Sequence, residues 1–137
     1  MREPREKGPT VLCIGSDALA LHFTRLMLSK QGYHVLTAVS GNTGLDMFAA
    51  ETVHAVVLDQ SLDGWEAPLV AGQMRRQRSD IPIIMLADEA ALSPDARAVV
   101  DKVIPESNGH EFLTGALEEV LQRKRGRDLP GDAAPPA

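Results

Sequence analysis

The chain is 137 residues long, 44% hydrophobic and 24% charged, with a formal net charge of −5 at pH 7. That size supports one hydrophobic core and not two, and the composition is that of a globular domain, which excludes disorder through most of the chain. Residues 8–122 carry 7 basic and 15 acidic side chains, so the globule is acidic and repels nucleic acid, while the two ends are weakly basic.

Five short apolar runs alternate with five segments of helical character, the pattern of repeated strand–helix units around a parallel sheet. The first predicted strand is Thr10–Ile14, and its lone cysteine, Cys13, reads as a small buried hydrophobe. A helix follows from about Ala18 to Gln31, with Leu19, Phe23, Leu26 and Met27 on one face and Gly32 placed for a left-handed cap. The second strand, His34–Ala38, leads to a helix capped by Ser40 that carries Leu45 and Phe48. Gly41-Asn42-Thr43-Gly44 lacks the Lys-Ser/Thr ending of a phosphate loop.

The third predicted strand is His54–Leu58. Its continuous apolar run suits a strand covered on both faces. Pro68 opens a third helix through Val70 and Met74, and Trp65 just before it is either a contact surface or partly buried over that helix. The fourth strand is Ile81–Leu86, and Ser93-Pro94 starts a short fourth helix. Lys102–Ile104 is the fifth and weakest strand, expected at an edge. Asn108 with Glu111 resembles a capping box for a fifth helix bearing Leu113, Leu117, Val120 and Leu121. The cluster Arg123-Lys124-Arg125-Gly126-Arg127 supplies cations to the end of that helix, where its dipole favours them.

No run approaches the roughly 18 consecutive apolar residues that cross a bilayer. Met1–Lys7 has no apolar signal-peptide core, so a cytoplasmic location without membrane contact is expected. His22, His34, His54 and His110 fall at no metal-binding spacing.

In an open α/β sheet, ligands bind beyond the carboxyl ends of the strands. The residues there are Gly15-Ser16-Asp17, Asp59-Gln60-Ser61, Ala87-Asp88 and Pro105-Glu106. An aspartate closing Ala55-Val56-Val57-Leu58-Asp59, with Gly32-Tyr33-His34-Val35, Ala38-Val39-Ser40-Gly41 and Pro82-Ile83-Ile84-Met85-Leu86 in this order, resembles the CheY-like receiver domain of bacterial response regulators over about Thr10 to Leu121.

The resemblance implies a flavodoxin-like (βα)5 fold, a doubly wound five-stranded parallel sheet in three α/β/α layers. It divides the chain into a flexible segment 1–8, a receiver-like domain 9–124 and a disordered tail 125–137. It also implies phosphoryl chemistry: Asp59 as phosphoacceptor, an acidic pair after the first strand for Mg²⁺, a hydroxyl after the fourth strand and a lysine after the fifth. Such transfer needs a metal and a cation because carboxylate and phosphate otherwise repel.

Here the acidic-pair positions are Gly15 and Ser16, the hydroxyl position is Ala87, and the lysine position falls at Ile104, Pro105 or Glu106. Asp63 and Ala67 stand where the family usually has Pro and Gly, and the aromatic switch position in the fifth strand is Lys102 or Val103. Asp17 and Ser61 offer at best a poor metal site with Asp59, and Asp17 reads more simply as a helix cap.

The expectation is a degenerate, stand-alone receiver-like module of two-component or phosphorelay signalling. It is expected to bind a protein partner, a histidine kinase or another signalling protein, through the fourth helix, fifth strand and fifth helix. It is not an enzyme in this reading and holds no cofactor; a homodimer stays open. The alternative is a working phosphoacceptor, phosphorylated at Asp59 by a histidine kinase with Mg²⁺. A small-ligand binder using the altered crevice is a third.

Overall fold

The computed structural model describes residues 8–59, 66–88, 92–105 and 110–128. Strand β1 is Thr10–Ile14, helix α1 Ala18–Lys30, β2 His34–Ala38, α2 Gly41–Ala50 and β3 Ala55–Asp59. They are followed by α3 Glu66–Gln77, β4 Ile83–Leu86, α4 Pro94–Ala98, β5 Lys102–Ile104 and α5 His110–Asp128. All pairings are parallel, and the five strands lie in the order β2-β1-β3-β4-β5. The two outer strands, β2 and β5, are the edges, and the strand order reverses between β1 and β3.

The period of two along each strand sorts the core into two layers. Leu12, Ile14, Val56, Leu58, Ile83 and Met85 point to one side, where they meet Phe48 of α2, Val70 and Met74 of α3 and Ala96 of α4. Val11, Cys13, Ala55, Val57, Ile84 and Ile104 point to the other side, against Leu21 and Leu28 of α1 and Leu113, Leu117 and Leu121 of α5. The result is the expected three-layer doubly wound sheet.

Local signals set most boundaries. Asp17 caps α1, its Oδ1 accepting from the amides of Leu19 at 3.0 Å and Ala20 at 3.2 Å. Ser40 and Ser93 cap α2 and α4, accepting from the amides of Thr43 and Ala96. Gly32 follows α1 at φ +99°, a conformation that favours glycine. Gly44 lets α2 approach the sheet, since a Cβ there would overlap Ile14 Cδ1 at 2.4 Å; this glycine therefore serves helix packing.

Several expectations shift. β3 runs one residue further than expected and takes in Asp59, which pairs with Leu86. β4 starts at Ile83 and not Ile81, as Pro82 has no amide hydrogen for the ladder.

The larger correction concerns α1. Its buried residues are Leu21, Thr24 and Leu28, whereas Leu19, Phe23 and Leu26 are 64%, 54% and 44% exposed. The helix carries apolar residues almost all round, so periodicity alone does not fix which face meets the sheet.

At the ends, Gly8, the last residue of the segment expected to be flexible, donates its amide to the Gly32 carbonyl at 2.7 Å. Helix α5 likewise continues through 125–128, past the expected boundary at 124, with basic residues where the helix dipole favours them.

Candidate functional site

Because Ile14 pairs with Leu58, Asp59 with Leu86, and Leu86 with Ile104, the residues Gly15, Asp59, Ala87 and Pro105 line the carboxyl edge of the sheet. Gly15 and Asp59 lie at the point where strand order reverses, the position at which open α/β sheets form their ligand crevice. Of the expected site residues, Ser61 lies outside the described residues, as do Gln60, Asp63, Trp65, Glu106 and Asn108.

Gly15 stands beside Asp59, so that any side chain at position 15 would touch it. A Cβ on Gly15 would meet Asp59 Cβ at 3.2 Å and Oδ2 at 3.6 Å, and the Gly15 amide donates to the Ala38 carbonyl at 3.1 Å. Asp59 is half-buried and Ser16 exposed. Asp17 is exposed and committed by Oδ1 to the first turn of α1, as expected of a cap.

Ala87 is fully buried and presents a methyl group where a hydroxyl was sought, while its amide donates to the Ile104 carbonyl at 2.9 Å. Ile104, one of the candidate lysine positions, is buried against α5, and Pro105 is half-buried. Lys102, the nearby cation, sits at the opposite end of β5 and pairs with Glu119 of α5 at 3.0 Å. Of the two candidate switch positions it is therefore the ion-paired one; Val103 packs against the core layer of α2–α4.

Mg²⁺ takes six oxygen ligands in near-octahedral geometry. Gly15 contributes no side chain, Asp17 caps its own helix, and among the described residues no group of three His, Cys, Asp or Glu side chains is arranged to hold a metal ion. The donors present among the described residues do not fit such a cation, with Asp59 the carboxylate at the centre of the edge.

Residues 11–113 match the response regulator receiver domain. The chain belongs to that family. This receiver is 31% identical over 129 residues to the response regulator MprA of Mycobacterium bovis, aligned over 90% of this chain and 54% of the relative. It is 28% identical over 127 residues to MprA of Mycolicibacterium vanbaalenii, over 90% of this chain and 55% of the relative. The chain thus spans about half the length of the curated relatives it matches.

Among solved structures, the fold resembles a CheY-like receiver domain protein from Methanospirillum hungatei, with TM-score 0.77, 20% identity and coverage of 85% and 96% of the two chains. It also resembles the response regulator TrrA of Thermotoga maritima in complex with Mg²⁺ and BeF, with TM-score 0.76, 23% identity and coverage of 82% and 99%. TrrA has also been solved in complex with the histidine kinase ThkA. Among the described residues, no helix is long and apolar enough to cross a membrane.

Sequence reasoning missed two arginines at the end of α3. Arg75 of that helix and Arg78, just past its last residue, reach to carbonyls of other segments, and Arg78 also lies over the Phe48 ring at 4.4 Å. A basic pair at a helix C-terminus has an adequate local explanation, and nothing in the sequence announces the distant partners.

Proposed function

We propose that this receiver acts in two-component signalling as a cytoplasmic binding module, not an enzyme, whose association with a protein partner does not depend on phosphate at Asp59. The carrying observation is that Gly15, a residue with no side chain, stands beside Asp59 and is followed by Ser16, so the acidic pair that would seat a metal is missing from these positions. The buried Ala87 methyl and the apolar Ile104 support it, as neither offers a hydrogen bond or a cation to a phosphoryl group. A modification shifts a conformational equilibrium only through contacts that differ between the two states, and these side chains supply none.

The partner is a histidine kinase or another signalling protein. Apolar side chains stand open to receive one: Leu19, Phe23 and Leu26 along α1, and Phe112 of α5, 57% exposed beside a groove with Val103, Pro105 and Gly115.

A competing reading, a working phosphoacceptor, draws on the retention of Asp59 at the centre of the carboxyl edge. Incubation with Mg²⁺ and acetyl phosphate separates the two by intact mass. The proposal expects an unmodified chain; a phosphoryl adduct present in the native sequence and absent from Asp59→Asn overturns it.

A further inference from the structure

Arg75 ties the connection that follows its own helix to the segment 99–101, 24 to 26 residues along the chain. Its Nε donates to the Val99 carbonyl at 3.0 Å, at the end of α4. Its Nη1 donates to the carbonyls of Ser79 at 3.0 Å and Ile81 at 3.1 Å, in the connection between α3 and β4. Its Nη2 forms an ion pair with Asp101, immediately before β5.

Asp101 is itself bound on two sides. Its Oδ2 also accepts the Ile83 amide at 2.7 Å, while its own amide donates to the Ile83 carbonyl at 2.8 Å. The planar guanidinium, with donors in fixed directions, suits such a junction in a way that a lysine ammonium does not.

The segment held in this way is otherwise lightly built. Helix α4 has five residues and one buried side chain, Ala96, and β5 has three residues at the sheet edge. So short a helix has little stability of its own. Its orientation must come from tertiary anchors, and the Arg75 contacts supply polar ones at its C-terminal end.

We propose that Arg75 and Asp101 form a latch that fixes the end of α4 and the start of β5 to α3 and β4, so that this surface is presented to a partner in one arrangement. Arg75 is a positioning residue in this account. The latch belongs to the edge of the sheet opposite in direction to Asp59, at the amino ends of the strands, and it stands whether or not Asp59 accepts phosphate.

The test is amide hydrogen exchange on the full chain with no phosphate donor present, so its outcome is separate from that of the phosphorylation experiment. In Arg75→Met, the amides of Ile83, Val99, Val100 and Asp101 are expected to exchange about 10-fold faster or more, while those of Val11 to Cys13 and Val56 to Leu58 keep their native rates. Asp101→Asn should accelerate Ile83 in the same way, and Arg76→Met, at the exposed neighbouring position, should change none of them. If Arg75→Met does not fold, Arg75→Lys is read at the same amides, with Val99 and Val100 accelerated because lysine lacks the fork. Unchanged exchange at these four amides, or equal acceleration in β1 and β3, overturns the latch.

Discussion

A Cβ placed on Gly15 would lie 3.2 Å from the Cβ of Asp59, so a side chain at position 15 would press on Asp59 across the junction of β1 and β3. The carboxylate leans over the space that a side chain at position 15 would need. Restoring an acid there is therefore not a simple repair. Gly15→Asp should destabilise the fold at neutral pH by about 1–2 kcal/mol, from crowding and from like-charge repulsion. Urea unfolding checks this. The penalty should shrink with added salt, which screens the repulsion and leaves the crowding.

The orientation of α1 gives a sharp contrast between two neighbouring positions. Leu28 is fully buried against the sheet while Phe23 is more than half exposed. Leu28→Ala should cost about 2–5 kcal/mol by loss of buried surface and the cavity left behind. Phe23→Ala should stay within about 0.5 kcal/mol in unfolding measurements, as surface changes usually do. Equal losses at both positions would contradict the observed face.

These two cases mark what the sequence made legible. The strands were visible because runs such as Ala55-Val56-Val57-Leu58 have a chemistry that only a covered sheet explains, and Asp17, Ser40 and Ser93 announced their helices by capping. The face of α1 was not visible, since Leu19, Phe23 and Leu26 repeat as well as Leu21 and Leu28 do, and only packing chooses between them. At the site, the resemblance to receivers pointed to Gly15, Ser16 and Ala87 and left the lysine position open among Ile104, Pro105 and Glu106. That Gly15 stands beside Asp59 could not be read, because it depends on strand register. Nor could the reach of Arg75 to Asp101, 26 residues along the chain.

Cys13 supplies a pH dependence. Burial alone pushes its thiol from the ordinary 9.0 up to about 12. The unfolded thiol ionises more readily than the folded one, so this contribution to stability is complete below pH 9 and is lost as pH rises from 9 towards 12. In Cys13→Ala, that alkaline slope should be reduced. Native protein at pH 8 should react with a thiol reagent only as fast as it unfolds.

Glu119 should titrate below the usual carboxylate range. The hydrogen bond from Lys102 is the main cause, followed by the charge of Lys102 and then the contributions of Arg123, 2.9 Å away. A depressed carboxyl stabilises the fold above its unfolded value and loses that contribution as pH falls through the folded one. Carbon NMR of the Glu119 carboxyl gives the titration directly, and Lys102→Met should return it towards the ordinary range. The group is solvent-exposed, so the effect should weaken with added salt.

The proposed function has Asp59 hold neither a metal nor a phosphoryl group. Titration of the isotopically labelled chain with Mg²⁺ and beryllofluoride, followed at the amides of Gly15, Asp59 and Ala87, tests it most directly. The account predicts that these resonances keep their positions at every concentration. A saturable set of new resonances at the three amides, abolished in Asp59→Asn, would contradict it.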